Sequence, residues 1–184
     1  MEEGQVSLDG NTHQLPTPFF VIATQNPVNQ AGTYPLPESQ LDRFLMRITL
    51  GYPSWEAEKH ILQSNDMHTS APVVASPSIL VEWQQQIQSV HASDAVIDYI
   101  LRLVRYSRES GLFTNPLSPR ASKALLITAR SWAWINGRDY VIPDDVQSVF
   151  SSVAEHRLRA SNSDSDLSYQ MSEKLLSAVD SIAA

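Results

Sequence analysis

Residues 19–27 read FFVIATQNP, and this stretch decides how the first part of the 184-residue chain is expected to fold. Its apolar, β-branched and aromatic residues have the length of a buried strand, and Thr24, Gln25 and Asn26 follow before Pro27 ends the run. In α/β proteins, chemistry is commonly placed at the exposed end of a buried strand. We therefore expect a strand that presents the amide of Asn26 at its tip.

A second stretch, LPESQLDRF at residues 36–44, predicts a short helix that opens at a proline. Arg43 lies between Leu41 and Phe44, and these two apolar side chains can hold it against a core while its guanidinium faces outward. An arginine held in this way is a hydrogen-bond donor for an anion.

Two further patterns predict β-structure. Residues 4–15 alternate around Asp9-Gly10, which indicates a hairpin because glycine accepts a positive φ. Residues 46–50 alternate as a second strand does, and Gly51-Tyr52-Pro53 end it. Residues 1–53 are therefore expected to contribute a hairpin and two strands to an α/β core.

The apolar period becomes helical after residue 53. Capping serines or prolines open five segments, at Ser54, Ser76-Pro77, Ser93, Ser118-Pro119 and Pro143. The short connections between these helices predict a bundle over residues 54–160. Residues 161–184 have an acidic, Ser/Asp-rich linker composition and a last amphipathic helix with no evident place to pack.

The composition is that of a soluble globular protein, with 42% hydrophobic and 18% charged residues. The absence of cysteine excludes a disulfide scaffold, and the spacing of the five histidines predicts no metal site. The net charge is −7 and no basic face dominates, which disfavours nucleic-acid binding. No apolar run approaches the roughly 20 residues that a membrane helix needs. We therefore expect a cytoplasmic protein without a membrane or nucleic-acid partner.

Five pieces of the sequence together resemble the MoxR family of AAA+ ATPases. They are Ala23–Pro27, Gly32–Glu38, Gln40–Phe44, Leu117–Ala121 and Gly137–Val141, within a likeness that runs from Met1 to about Arg159. The resemblance implies a mostly α protein: an α/β fragment of a P-loop AAA+ core, with the hairpin and two strands, followed by an all-α helical lid bundle. The core portion is then residues 1–53, the lid 54–160, and the linker with its terminal helix 161–184.

The resemblance also implies roles for three residues around ATP. Asn26 corresponds to sensor 1, whose amide hydrogen-bonds the γ-phosphate and the attacking water. Arg43 corresponds to the arginine finger, which reaches the nucleotide of the neighbouring subunit in a ring. Arg120 corresponds to sensor 2, which links the lid to the nucleotide of its own subunit. Arg47 is a second candidate for the finger, although it falls on a strand pattern.

Each of these three residues also has a simpler local interpretation. An asparagine before a proline, such as Asn26, is typical of a loop cap. Arg43 can form a surface salt bridge with Glu38 or Asp42, which would contribute less than about 1 kcal/mol. Arg120 stands at the start of a predicted helix, where the macrodipole disfavours a cation, so it is either simply exposed or close to an anion.

The sequence contains no G-x-x-x-x-G-K-[ST] phosphate loop and no apolar run that ends in paired acids for magnesium. The resemblance is therefore to the second half of an ATPase, and we expect Met1 to be an internal methionine of a longer protein. The parent protein would bind ATP and Mg²⁺. The present chain is expected to be inactive by itself.

Family members form rings, expected to be homo-hexamers, and are associated with the maturation of protein complexes and with cofactor insertion, often beside von Willebrand factor A-domain partners. The resemblance thus implies ATP hydrolysis coupled to chaperone-like remodelling of protein clients. The alternative function is a non-catalytic helical protein-interaction module that binds a partner through the apolar, tryptophan-bearing face of the bundle.

Overall fold

The computed structural model describes residues 4–24, 36–63, 72–160 and 171–181, without the side chains of Arg159 and Ala160. The elements of these residues are β1 (Gln5–Leu8), β2 (Asn11–Gln14), α1 (Glu38–Leu41), α2 (Trp55–Gln63), α3 (Pro77–Ser89), α4 (Asp94–Glu109), β3 (Phe113–Asn115), α5 (Pro119–Ile135), α6 (Pro143–Ala154), β4 (Arg159–Ala160) and α7 (Met171–Ala178). No helix in this described part of the chain has the length and apolar character needed to cross a membrane.

The described residues divide into two compact units, Met1–Phe20 with Ile48–Glu82, and Val21–Arg47 with Trp83–Ala184. The first unit contains the hairpin of β1 and β2, which pair antiparallel with Leu8 opposite Asn11. Asp9 and Gly10 both have positive φ, 50° and 81°, as a two-residue turn of this kind requires. The hairpin expected from the Asp-Gly pair is therefore present.

The prediction of two strands in the core portion is wrong for the residues that the structure describes. Residues 19–24 and 46–50 have no strand assignment, and Ile22 and Leu50 are 80% and 88% exposed. A strand exists only where a neighbouring strand accepts and donates its backbone hydrogen bonds. No described segment pairs with either stretch in this way. The backbone N–H of Arg47 instead donates to the carbonyl of Ser152 in α6 at 2.8 Å.

The five helices predicted for residues 54–160 are all present and begin where the capping residues indicate. The Ser54 hydroxyl accepts from the backbone N–H of Ala57 at 3.3 Å, and the Ser118 hydroxyl accepts from Ala121 at 3.1 Å. Gly137 follows α5 with φ 73°, the left-handed conformation that ends a helix. These starts and stops were predictable because each depends on contacts within one turn.

The core of the second unit lies between α4, α5, α6 and α7. All four helices contribute large, fully buried side chains, among them Tyr99, Leu103, Leu125, Phe150, Val153 and Leu175. The expectation that the last helix has no place to pack is therefore wrong. Leu175 of α7 is fully buried, and the backbone N–H of Ser172 donates to the Glu155 carboxylate at 2.9 Å.

Candidate functional site

The structure describes two of the three residues predicted to surround ATP. Asn26 lies outside the described residues. Arg43 lies two residues after the end of α1 and is exposed, and its backbone N–H donates to the carbonyl of Gln40 at 3.2 Å. Arg120 is the second residue of α5 and is partly buried. Both described arginines belong to the second unit, in which Asp42 lies next to Arg43 in sequence and near Arg120 in space.

The Asp42 carboxylate lies at the N-terminus of α5. The Ser118 hydroxyl is 2.9 Å from Oδ1 and 3.0 Å from Oδ2, and it donates to this carboxylate while accepting from the backbone N–H of Ala121. A carboxylate is favoured at this place because the N-terminus of a helix carries a partial positive charge. Ser118 thus caps α5 and also fixes the residue that precedes Arg43.

Arg120 makes a loose ion pair with this carboxylate. Its Nη1 atom is 3.5 Å from Asp42 Oδ2, and its side chain remains 40% exposed. A pair of this length and exposure contributes less than about 1 kcal/mol. The carboxylate of Asp42 explains how a cation is tolerated at the start of a helix. Because the contact is weak, a more highly charged anion such as phosphate can compete for the same guanidinium.

Arg157, which follows α6, is the residue of this site that the sequence did not reveal. It is only 3% exposed, and its Nε donates to Asp42 Oδ1 at 3.0 Å. Nη2 donates to the backbone carbonyls of Asp42 at 3.2 Å and of Phe44, and Nη1 donates to those of Leu45 at 3.2 Å and of Val153. All five N–H groups of this guanidinium therefore have an acceptor.

Burial lowers the pKa of Arg157, and the hydrogen bond and charge of Asp42 oppose that change. A buried cation is tolerated when it is paired and fully hydrogen-bonded, as this one is. The sequence offered little signal, since Arg157 follows the polar residues Glu155 and His156 and precedes the apolar Leu158. Such a signal does not say which distant acceptors the arginine meets.

His156 holds the same segment from the neighbouring position. Its Nε2 is 3.3 Å from the carbonyl oxygen of Phe44, and its buried Nδ1 has no hydrogen-bond partner among the described residues. Burial lowers the pKa of His156 to about 4, and the charge of Arg157 acts in the same direction. The imidazole is therefore neutral at pH 7, and its Nε2 donates to the Phe44 carbonyl.

The charges of this cluster favour an anion rather than a metal ion. Arg120 and Arg157 both pair with the carboxylate of Asp42, and Arg43 adds a positive charge at the next position in the chain. The guanidinium groups of Arg43 and Arg120 are accessible to a ligand. Exposed guanidinium groups suit phosphate. For Mg²⁺ the donor set does not fit, because the accessible groups are cationic and the Asp42 carboxylate already binds Ser118, Arg120 and Arg157.

Comparisons with known proteins agree with this architecture. A family model described as the ATPase family associated with various cellular activities (AAA) matches residues 1–46, and a model described as the AAA lid domain matches residues 105–176. The crystal structure of a candidate ATPase from Cytophaga hutchinsonii superposes with a TM-score of 0.83 at 32% identity, covering 97% of this chain and 59% of that one. The fold is therefore that of an AAA ATPase core segment followed by its lid.

Curated relatives identify the family within the AAA ATPases more closely. Chaperone MoxR1 of Mycobacterium tuberculosis is 41% identical over 168 residues, covering 86% of this chain and 45% of its own length. Protein MoxR of Paracoccus denitrificans is 28% identical, covering 75% and 47%, and the uncharacterised YeaC of Bacillus subtilis is 44% identical, covering 86% and 50%. The chain belongs to the MoxR family of AAA+ ATPases. It spans about half the length of the curated relatives it matches.

Proposed function

We propose that this chain supplies sensor 1, the arginine finger and sensor 2 to a MoxR-type ATPase that couples ATP hydrolysis to chaperone-like remodelling of protein complexes. The observation that carries the proposal is the Asp42 cluster. It brings Arg120, at the start of α5, next to the residue that precedes the exposed Arg43. The family membership and the relative named as a chaperone support the same function.

Phosphoryl transfer needs an oriented water and stabilisation of charge on the γ-phosphate, with little covalent work from the protein. Arg120 would bind a phosphate of the nucleotide in its own subunit by exchanging its weak contact with Asp42. Arg43 would reach the nucleotide of the neighbouring subunit, and Asn26 would orient the attacking water. ATP-bound magnesium would be held outside the Asp42 cluster, whose only carboxylate among the described residues is already paired with two arginines.

The parent protein is proposed to be a cytoplasmic, homo-oligomeric ring, most simply a hexamer, since the finger acts across a subunit boundary. Protein clients and a von Willebrand factor A-domain partner are part of the same proposal. So is the division of the chain into a core portion (1–53), a lid (54–160) and a terminal linker with its helix (161–184).

The test is ATP hydrolysis by the complete polypeptide that contains these residues. Arg43→Ala should lower kcat by about 10³-fold or more while ATP binding changes little. Arg120→Ala should weaken nucleotide binding as well as turnover. Arg105→Ala is the matched control, because this arginine is exposed and pairs with Glu109 in the next turn of α4. Retention of normal turnover by Arg43→Ala would contradict the proposal.

A mixing experiment tests the trans arrangement. Subunits with Arg43→Ala, whose own nucleotide sites are intact, should regain turnover when they are mixed with subunits that keep Arg43 but cannot bind ATP. The 184-residue chain by itself should show no ATP turnover.

The competing function is a non-catalytic interaction module. It is favoured by the exposed apolar side chains of Trp132, Ile135 and Tyr140 near the end of α5. The coding sequence directly upstream of Met1 discriminates between the two functions. A phosphate loop and an Asp-Glu pair in that frame support the ATPase, and an in-frame stop codon supports the module.

A further inference from the structure

We propose that Arg157 and Asp42 are positioning residues for Arg43, because together they fix the backbone on both sides of it and present its guanidinium in one orientation. The inference rests on the proposed function, since it concerns the arginine assigned as the finger. It goes beyond that function by assigning a role to two residues that are themselves too buried or too occupied to touch a nucleotide.

The acceptors of Arg157 are distributed around Arg43. The guanidinium binds the carboxylate and the carbonyl of Asp42 on one side, and the carbonyls of Phe44 and Leu45 on the other. His156 adds a second contact to Phe44. The segment that carries Arg43 has no regular secondary structure after α1 ends at Leu41, so these contacts supply the order that a helix or strand would otherwise give.

These contacts of Arg157 and Asp42, which we call the clamp, also tie the segment around Arg43 to both helices that form the centre of the lid. Arg157 follows the C-terminus of α6, and Ser118 at the N-terminus of α5 holds the opposite side of the Asp42 carboxylate. Because α5 and α6 pack against each other and both contribute fully buried side chains to the core, such as Leu125 and Phe150, we expect the two anchors to move together. The orientation of Arg43 therefore follows the orientation of the lid helices.

An arginine is required at position 157 for a chemical reason. Five N–H groups in a rigid plane reach four separate carbonyls and one carboxylate oxygen at the same time, whereas a lysine ammonium has only three donors. A buried ion pair is weak evidence for stability, because an apolar pair of the same volume is often as stable. What the apolar pair does not provide is directional contact with the backbone on both sides of one residue.

The first test is site-directed spin labelling of the chain, which has no cysteine of its own. A nitroxide on Arg43→Cys should report a restricted environment in the otherwise wild-type chain. In Arg157→Lys or Asp42→Asn, the nitroxide at position 43 should have a several-fold shorter rotational correlation time. In Asp42→Glu, which keeps the charge, the correlation time should lie between that of Asp42→Asn and that of the wild type. A nitroxide on Arg105→Cys, on the exposed face of α4, should be unchanged in every variant and so show that the lid remains folded.

The second test is steady-state ATP hydrolysis by the complete polypeptide. Arg157→Lys and Asp42→Asn should both lower kcat as Arg43→Ala does. Arg157→Lys, which leaves the contact of Asp42 with Arg120 in place, should also leave KM for ATP unchanged, a result that a general loss of folded protein that also disturbs ATP binding would not produce. If position 43 stays as ordered in both variants as in the wild type, the inference is wrong whatever their activity. If position 43 loosens while kcat is unchanged, the positioning role is likewise overturned. Full turnover by Arg43→Ala would instead refute the proposed function, and the spin-label result would still decide whether the clamp orders this segment.

Discussion

Arg157 and Asp42 form a buried ion pair between residues that are 115 positions apart in the chain, with Nε 3.0 Å from Oδ1. The pair joins the segment beside the proposed arginine finger to the end of α6. It places the one well-buried cation of this site against the carboxylate that also contacts Ser118 and Arg120. The stability of the second unit and the position of Arg43 therefore depend on the same contact.

Removal of the Asp42 carboxylate should destabilise the chain. Asp42→Ala leaves the Arg157 cation buried without its counter-ion, and breaking a buried pair in this way costs about 3 kcal/mol or more. Urea unfolding followed by tryptophan fluorescence measures the change. Glu109→Ala is the control, because it removes a carboxylate from the exposed pair with Arg105 and should cost less than about 1 kcal/mol. Equal losses for the two variants would show that the Asp42 pair is not buried in solution.

The free energy of unfolding should fall between about pH 6.5 and pH 4 because of His156. Burial and the charges of Arg157 and Arg47 lower its pKa to about 4, while the Phe44 carbonyl and Asp42 act in the opposite direction. The unfolded chain therefore binds the proton first as the pH falls, so the contribution is complete above the ordinary pKa and is lost below it. The loss is at most on the order of 3 kcal/mol.

Chemical denaturation at a series of pH values measures this dependence on His156. His156→Gln keeps a donor for the Phe44 carbonyl but does not titrate, so its stability should change less steeply with pH over the same range than that of the wild type. Parallel profiles for the two proteins would show that His156 is not the group responsible.

The start of α6 should depend on Asp145 rather than on its N-cap residue. The Asp145 carboxylate accepts from the backbone N–H of Ile142 at 2.9 Å and pairs with both terminal nitrogens of Arg138. Asp145→Ala leaves the Ile142 N–H without its acceptor, which costs about 1–3 kcal/mol. Asp145→Asn keeps one acceptor oxygen and should lose less stability. Thermal unfolding by circular dichroism ranks the three proteins, and an alanine variant as stable as the wild type would disprove the cap.

Helix α7 should contribute to the stability of the lid. Leu175 is fully buried, and Leu175→Ala should cost about 2–5 kcal/mol through lost burial and the cavity left behind. Lys174→Ala in the same helix turn is the control, since Lys174 is exposed and the change should stay within about 0.5 kcal/mol. The same urea titration measures both variants. A Leu175→Ala protein as stable as the control would mean that α7 is not docked.

The elements that could be predicted are those whose causes are local. The hairpin follows from the positive φ that Asp9-Gly10 supplies, and the lid helices follow from capping serines and prolines that act within one turn. The family resemblance could also be read directly from short motifs, and the comparisons bear it out. The predicted roles of Asn26, Arg43 and Arg120 remain proposals.

The features that could not be predicted depend on partners elsewhere in the chain. An apolar run such as residues 19–24 has strand composition, but a strand forms only when another strand binds its backbone. The docking of α7 depends on the pocket between α4 and α6 and on Glu155, and neither can be recognised from the helix itself. The exposed fraction of Arg120 and its contact with Asp42 likewise required coordinates.

The sequence by itself determined where the hairpin turns, where the five helices of residues 54–160 begin, and to which family the chain belongs. Local hydrogen bonds and short motifs involve residues that are neighbours in the sequence, so the sequence pattern is sufficient to predict them. Only the tertiary structure decided that Arg157 is buried against Asp42 and hydrogen-bonds the backbone on both sides of Arg43. The acceptors of a guanidinium depend on which groups lie near it in space, whatever their distance along the chain. Its five donors bind the Asp42 carboxylate and three carbonyls that are more than a hundred residues away, and the fourth carbonyl is that of Val153, four residues before it.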